Sequence, residues 1–322
     1  MSSSTFPQLS SLGFGGAAIG NLFAAVDDDA ARAALDAAWD NGIRYFDTAP
    51  HYGLGLSERR IGEALRERPR QDFVLSTKVG RILEPVDAPN PADRDSEGFD
   101  VPAAYRRRWD FSAEGINRSI EESLERLGLD HIDIAYMHDP DDFVEQALDS
   151  AYPALEKLRD AGVVRAIGVG MNQNAVPTRF VRETDIDVVL LAGRYTLLDQ
   201  SGAEELLPAA MERGVRIVVG GVFNSGLLAD PRAAATYDYQ PAPPELVQRA
   251  LDIEAVCQKY GVPLRAAAIA FALAHPAVAS VLVGVRSPEQ AADCVAMAGV
   301  TVSEELWEEL RERGLCGVGS PS

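Results

Sequence analysis

The chain has 322 residues, 47% apolar and 25% charged, with 49 acidic against 30 basic side chains and a formal net charge of -19. Such a surface repels nucleic acid and anionic membrane, so neither is expected as a partner. No apolar run nears the ~20 residues of a membrane span. The start, Met1-Ser2-Ser3-Ser4-Thr5, lacks signal-peptide features, and Cys257, Cys294 and Cys316 show neither metal nor pairing spacing, as expected in a reducing cytoplasm.

In chain order, a short apolar strand is predicted near 12–15. A helix follows whose Ala31, Ala34, Leu35 and Ala38 share a face, closed by Asn41-Gly42-Ile43. Strands near 43–47 and 73–78 come next. Residues 80–111 then carry Pro85, Pro89, Pro91 and Pro102 and little periodicity, which predicts a long functional loop. Within it, Arg106-Arg107-Arg108 reads as a solvated turn ahead of a ligand-phosphate contact. Ser112 is the expected N-cap of a helix with Ile116, Ile120, Leu124 and Leu127 on one face. Strands follow near 132–137, 164–170, 187–191 and 215–220, mostly introduced by the glycine turns at Gly128, Gly162 and Gly214. A second long loop spans 222–244, with Pro231, Pro241, Pro243 and Pro244. After the glycine turn at Gly261 the last strand is expected near 279–284, and Gly284-Val285-Arg286-Ser287-Pro288 leads into a helix.

The strands are short and continuously apolar, as in parallel sheets covered on both faces. Eight such units at roughly 40 residues each fit one (β/α)8 TIM barrel domain over 1–322. A doubly wound sheet is the alternative, but no G-x-G-x-x-G follows the first strand. On the barrel reading, successive strands end at Asp47, Lys78 and His138, with Tyr52 on the loop after Asp47. Each alone has an ordinary reading as a turn former, solvated strand end, loop start or core-edge aromatic. Together they put an acid, a lysine, an imidazole and a phenol on one rim, where a buried lysine needs the acid as partner.

Gly42-Ile43-Arg44-Tyr45-Phe46-Asp47-Thr48-Ala49-Pro50-His51-Tyr52-Gly53, Ser57-Glu58-Arg59-Arg60-Ile61-Gly62, Ser76-Thr77-Lys78, Met137-His138-Asp139 and Ile167-Gly168-Val169-Gly170 resemble the aldo-keto reductase superfamily. The resemblance runs from about residue 10 to residue 300. It implies a barrel, a nicotinamide cofactor bound without a Rossmann fold, and a catalytic tetrad of Asp47, Tyr52, Lys78 and His138. In that reading Lys78 stabilises the phenolate of Tyr52, Asp47 orients Lys78, and His138 orients the substrate oxygen.

The resemblance is greatest to a bacterial branch acting on sugars and pyridoxal. It implies oxidation of the C1 hydroxyl of an aldose, such as L-fucose or D-arabinose, to a lactone. Pyridoxal oxidation or general aldehyde and ketone reduction is the alternative, and a non-catalytic cofactor-binding sensor a second one. Implied cofactor contacts are Gly16, Asn172 at the carboxamide, Tyr195 or Phe223 in place of a missing stacking tyrosine, Asn224, Ser225, Gly226, Leu228, Gly284, Arg286 and Gln290. Some relatives hold a 2′-phosphate with arginine where Gln290 stands, which favours NAD, while Arg286 leaves NADP open. His51 and Trp109 are substrate candidates, and no metal is expected. Sequence leaves the oligomeric state open.

Overall fold

Eight parallel strands close into a barrel in the computed structural model, which describes residues 6–90, 92–233, 236–238 and 240–317. The N-terminal segment 1–5 and Pro91, both read above, lie outside the described residues. In chain order the strands are β1 (Leu12–Gly15), β2 (Tyr45–Asp47), β3 (Val74–Val79), β4 (Arg81–Pro85), β5 (Tyr105–Trp109), β6 (Ile134–His138), β7 (Ala166–Met171), β8 (Val188–Ala192), β9 (Arg216–Gly220), β10 (Thr236–Tyr237), β11 (Gln240–Pro241) and β12 (Val278–Val283). The barrel runs β1-β12-β9-β8-β7-β6-β3-β2. Its strands lie within two residues of those expected from apolar runs.

Local chemistry explains the boundaries. Ser112 accepts a hydrogen bond from the Gly115 N–H and starts the helix Ala113–Leu127. Gly128, at φ 63°, ends it in the left-handed conformation that a β-carbon would disfavour. Tyr45, Tyr136, Val188 and Val218 fill the barrel interior, while a larger apolar layer lies between strands and helices.

The long loops are not structureless, which corrects the sequence expectation. β4 and β5 pair as an antiparallel hairpin, from Arg81 opposite Trp109 to Pro85 opposite Tyr105. β10 and β11 form a shorter pair in the second loop. Among the described residues, Pro85 and Pro241 end strands and Pro244 opens the helix Pro244–Lys259, places where a missing N–H costs little. Arg106 and Arg108 pair with Glu84, and Arg107 with Asp95. The arginine run is therefore a strand whose members alternate sides, not a solvated turn.

Candidate active site

β2, β3 and β6 are neighbours, so Asp47, Lys78 and His138 reach the same rim. Lys78 is 2% exposed. Its Nζ donates to Asp47 Oδ2 at 2.6 Å and to the Thr48 carbonyl at 3.1 Å, and it hydrogen-bonds the Tyr52 hydroxyl. Ser76 Oγ fixes the far side of Asp47, donating to Oδ1 at 2.7 Å. Burial works against the Lys78 charge, but Asp47 and Tyr52 outweigh it and raise the ammonium pKa. Burial likewise pushes the Asp47 carboxyl up, opposed by Lys78 and Ser76. The fixed cation lies 4.6 Å from the centre of the Tyr52 ring.

Two imidazoles face this pair. The His51 and His138 rings are 5.4 Å apart, and the Tyr52 ring is 6.0 Å from that of His138. Burial, then the charges of Arg81, Arg107 and Lys78, lowers the His51 pKa to about 2. Burial, Arg81 and Lys78 likewise hold His138 well below its ordinary value. Both rings are thus neutral at neutral pH, able to donate from one nitrogen and accept at the other. The Nδ1 atoms of both are buried without a hydrogen-bond partner.

A cavity of about 490 Å³ opens above the tetrad, within the usual range for small-molecule sites. His51, Tyr52, Lys78, His138 and Asn172 line it. Sequence reasoning missed Phe99, Asp139 and the Leu22-Phe23 segment, which line it too. Phe99 is buried with Leu54, Leu83 and Val101 in a small apolar cluster beneath the first loop. That loop is clamped by Arg107, which binds Asp95 at 2.5 and 3.0 Å and donates to the His51 carbonyl at 3.0 Å. Arg81 binds Asp139, whose carboxyl burial raises and Arg81 lowers. The sequence signal for Arg81 and Asp139 was their place, just past strand ends that already carried chemistry.

Two candidates lie elsewhere. Tyr195 is 2% exposed and packs on Phe271 and His275, 5.1 and 5.4 Å between ring centres, so it is a core residue and not a stacking surface. Trp109 is 37% exposed, with its ring on the Arg81 guanidinium at 5.2 Å, and is not in the cavity wall. Arg107 and Trp109 share a face of β5, but Arg107 is sealed by Asp95 while Trp109, at the strand end, stays exposed.

The chain matches the Aldo/keto reductase family over residues 11–313. It belongs to that family. It is 51% identical to a D-threo-aldose 1-dehydrogenase from a Pseudomonas species, over 94% of each chain. It is 42% identical to a pyridoxal 4-dehydrogenase from Microbacterium luteolum, over 95% of this chain and 94% of that one. A solved glycerol dehydrogenase from Gluconobacter oxydans superposes with a TM-score of 0.76 at 26% identity, covering 97% of this chain and 95% of that one. As an aldo-keto reductase, this chain is an NAD(P)-dependent oxidoreductase.

The residues around β9 and β12 fit such a cofactor. Arg286 Nε and Asn224 Oδ1 are buried without partners, as expected of groups awaiting a polar ligand. A β-carbon at Gly226 would meet nothing within 4 Å, and one at Gly284 only Ala18 at 3.8 Å, so both leave room. Ser287 caps the helix Pro288–Ala298, whose N-terminus favours phosphate. Phe223 is partly buried beside the turn that carries Asn224 and Ser225 at φ 46° and 56°. Gly16 packs on the tetrad floor, where a β-carbon would meet Ser57 Oγ at 2.5 Å. Leu228 is fully buried, backbone included, so the expected contact at this position is not exposed to a ligand. The Gln290 side chain turns back to accept the Arg286 N–H at 2.8 Å.

Proposed function

We propose that this enzyme oxidises the C1 hydroxyl of an aldose to a lactone. The observation that carries the chemistry is the Asp47–Lys78–Tyr52 chain of buried bonds ending at the cavity. The aldose assignment is supported by the similarity to the Pseudomonas enzyme. A bound nicotinamide would supply the acceptor for the hydride leaving C1. Tyr52 as phenolate takes the hydroxyl proton, and the adjacent ammonium of Lys78 stabilises that phenolate. Asp47 keeps Lys78 charged and aimed. Neutral His138 hydrogen-bonds the substrate oxygen without adding a charge. Loss of hydride and proton from a cyclic hemiacetal leaves the ring lactone, and reversal has Tyr52 donate to a carbonyl oxygen.

Asn172, Asn224, Ser225, Gly226, Gly284 and Arg286 would hold the cofactor, with Phe223 at the nicotinamide end. NAD is favoured over NADP because Gln290 offers no cation and its carbonyl is already engaged. Three buried cysteines fit a cytoplasmic setting. Pyridoxal oxidation is the second reading, favoured by similarity to the Microbacterium enzyme.

The test is steady-state oxidation of L-fucose, D-arabinose, L-galactose and pyridoxal with each cofactor. Turnover of an aldose with NAD is expected, and turnover of pyridoxal alone replaces the first reading with the second. Tyr52→Phe is expected to lower kcat by about 10²–10⁴-fold, the range for a lost general acid or base, with the cofactor Kd unchanged. Retention of a tenth of wild-type kcat would overturn the role of Tyr52.

A further inference from the structure

Two arginine–aspartate pairs tie the first loop to the barrel, and they differ in exposure. Arg107 and Asp95 are sealed, with side chains 5% and 4% exposed. Arg81 is nearly as buried at 10%, but its partner Asp139 is 31% exposed and lines the cavity. A carboxylate needed only to neutralise Arg81 would be sealed as Asp95 is. Arg81 engages Oδ2, and among the described residues no group bonds Oδ1. Asp139 also adopts φ 43°, the left-handed region that aspartate tolerates better than most residues, at the turn where β6 leaves the barrel. Its Oδ2 lies 3.6 Å from His138 Nε2, so the carboxylate is beside the imidazole that faces the reacting oxygen.

We propose that Asp139 is a specificity-determining residue that accepts hydrogen bonds from hydroxyls next to the reacting carbon. This rests on the reading of the cavity as the substrate site and names its substrate class: hydroxylated aldehydes and sugars over plain ones. A carboxylate only accepts, and a hydroxyl donating to it makes a strong charge-assisted bond. A site built this way rejects an analogue that lacks the hydroxyl, because binding it covers the carboxylate without supplying a donor. Arg81 holds the carboxylate in place through Oδ2, which leaves Oδ1 for a hydroxyl.

The experiment compares reduction of glyceraldehyde and propanal by the whole enzyme, with whichever reduced nicotinamide it uses. Wild type is expected to favour glyceraldehyde in kcat/KM. Asp139→Ala is expected to lower the glyceraldehyde-to-propanal ratio by about 10- to 100-fold, mostly through KM, the range for a lost bond to a charged group. Loss of the partner of the buried Arg81 lowers turnover of both aldehydes alike, so the ratio is the readout. Asp139→Asn keeps the shape and a neutral acceptor, and is expected to lower the ratio by roughly 3- to 10-fold, so the proposal stays testable if the alanine variant does not fold. An unchanged ratio, or an equal fall for both aldehydes, overturns it and leaves Asp139 as a support for Arg81. A wild type that shows this preference but oxidises no aldose overturns the aldose reading and leaves Asp139 in its role.

Discussion

The two long loops leave the same face of the barrel but use their charges differently. In the first, Arg107 and Asp95 are both buried, and Arg107 also holds the His51 carbonyl. In the second, Arg194 binds Asp238 at 2.6 Å with the aspartate 43% exposed, and Tyr237 donates to Asp199 at 2.8 Å. The geometry of these bonds is similar, but water screens one set and not the other. A buried pair is costly to break from one side, whereas an exposed pair contributes little. The first loop is therefore anchored beside the cavity by a dry pair, and the second is held at its edge by a wet one.

The comparison breaks most directly at Asp95. Asp95→Ala leaves the Arg107 guanidinium buried and unpaired, a loss of about 3–5 kcal/mol by analogy with other buried pairs. The expected outcome is earlier proteolytic cleavage within residues 86–104 and a fall in substrate kcat/KM of more than about tenfold, given how steeply rates follow such energies. Cofactor Kd, measured by fluorescence titration, should stay within about twofold if only this wall moves. Cleavage and kinetics like those of wild type would show that the pair does not hold the loop.

A second way to sharpen it is through pH. The folded enzyme holds His51 at a pKa of about 2, against an ordinary value of 6.5, chiefly by burial and then by Arg81, Arg107 and Lys78. Between those values the unfolded chain binds a proton that the folded chain refuses. Stability from this group is therefore complete above pH 6.5 and is lost as pH falls towards 2. The slope is at most about 1.4 kcal/mol per pH unit. His51→Gln is expected to flatten the acid limb of a stability profile from urea melts at pH 5 to 7. Curves of equal slope would mean that the first loop does not keep this ring dry.

Legibility from sequence followed the same division. Asp47, Lys78 and His138 were readable because short apolar strands mark their own ends and the ends carried polar groups. Tyr52 followed from its fixed distance to Asp47. Arg107 and Asp95 were not readable, because they meet across twelve positions only once the hairpin closes between Pro85 and Tyr105, and local periodicity is silent about which face of an isolated strand is covered. Tyr195 was misplaced for a related reason: a tyrosine just past a strand end looks available, and only the packing of Phe271 and His275 shows that it is not. The proposed cofactor contacts Asn224 and Ser225 sit on a turn whose left-handed backbone is not marked by glycine at either position.

The smallest expected effect tests the second loop. Tyr237→Phe removes a hydroxyl that donates to Asp199 Oδ2 at 2.8 Å, but Arg194 stays 3.5 Å from the same carboxylate and keeps it satisfied. Because the acceptor is not left unpaired, the loss should be about 0.5–1.5 kcal/mol in a chemical melt, the usual value of one hydrogen bond. The substrate kcat should not change, since Tyr237 lies outside the cavity wall while Gln240, three residues on, is within it. A kcat loss above about threefold would mean that β10 and β11 transmit to the tetrad as the first loop does, and the contrast between the loops would fail.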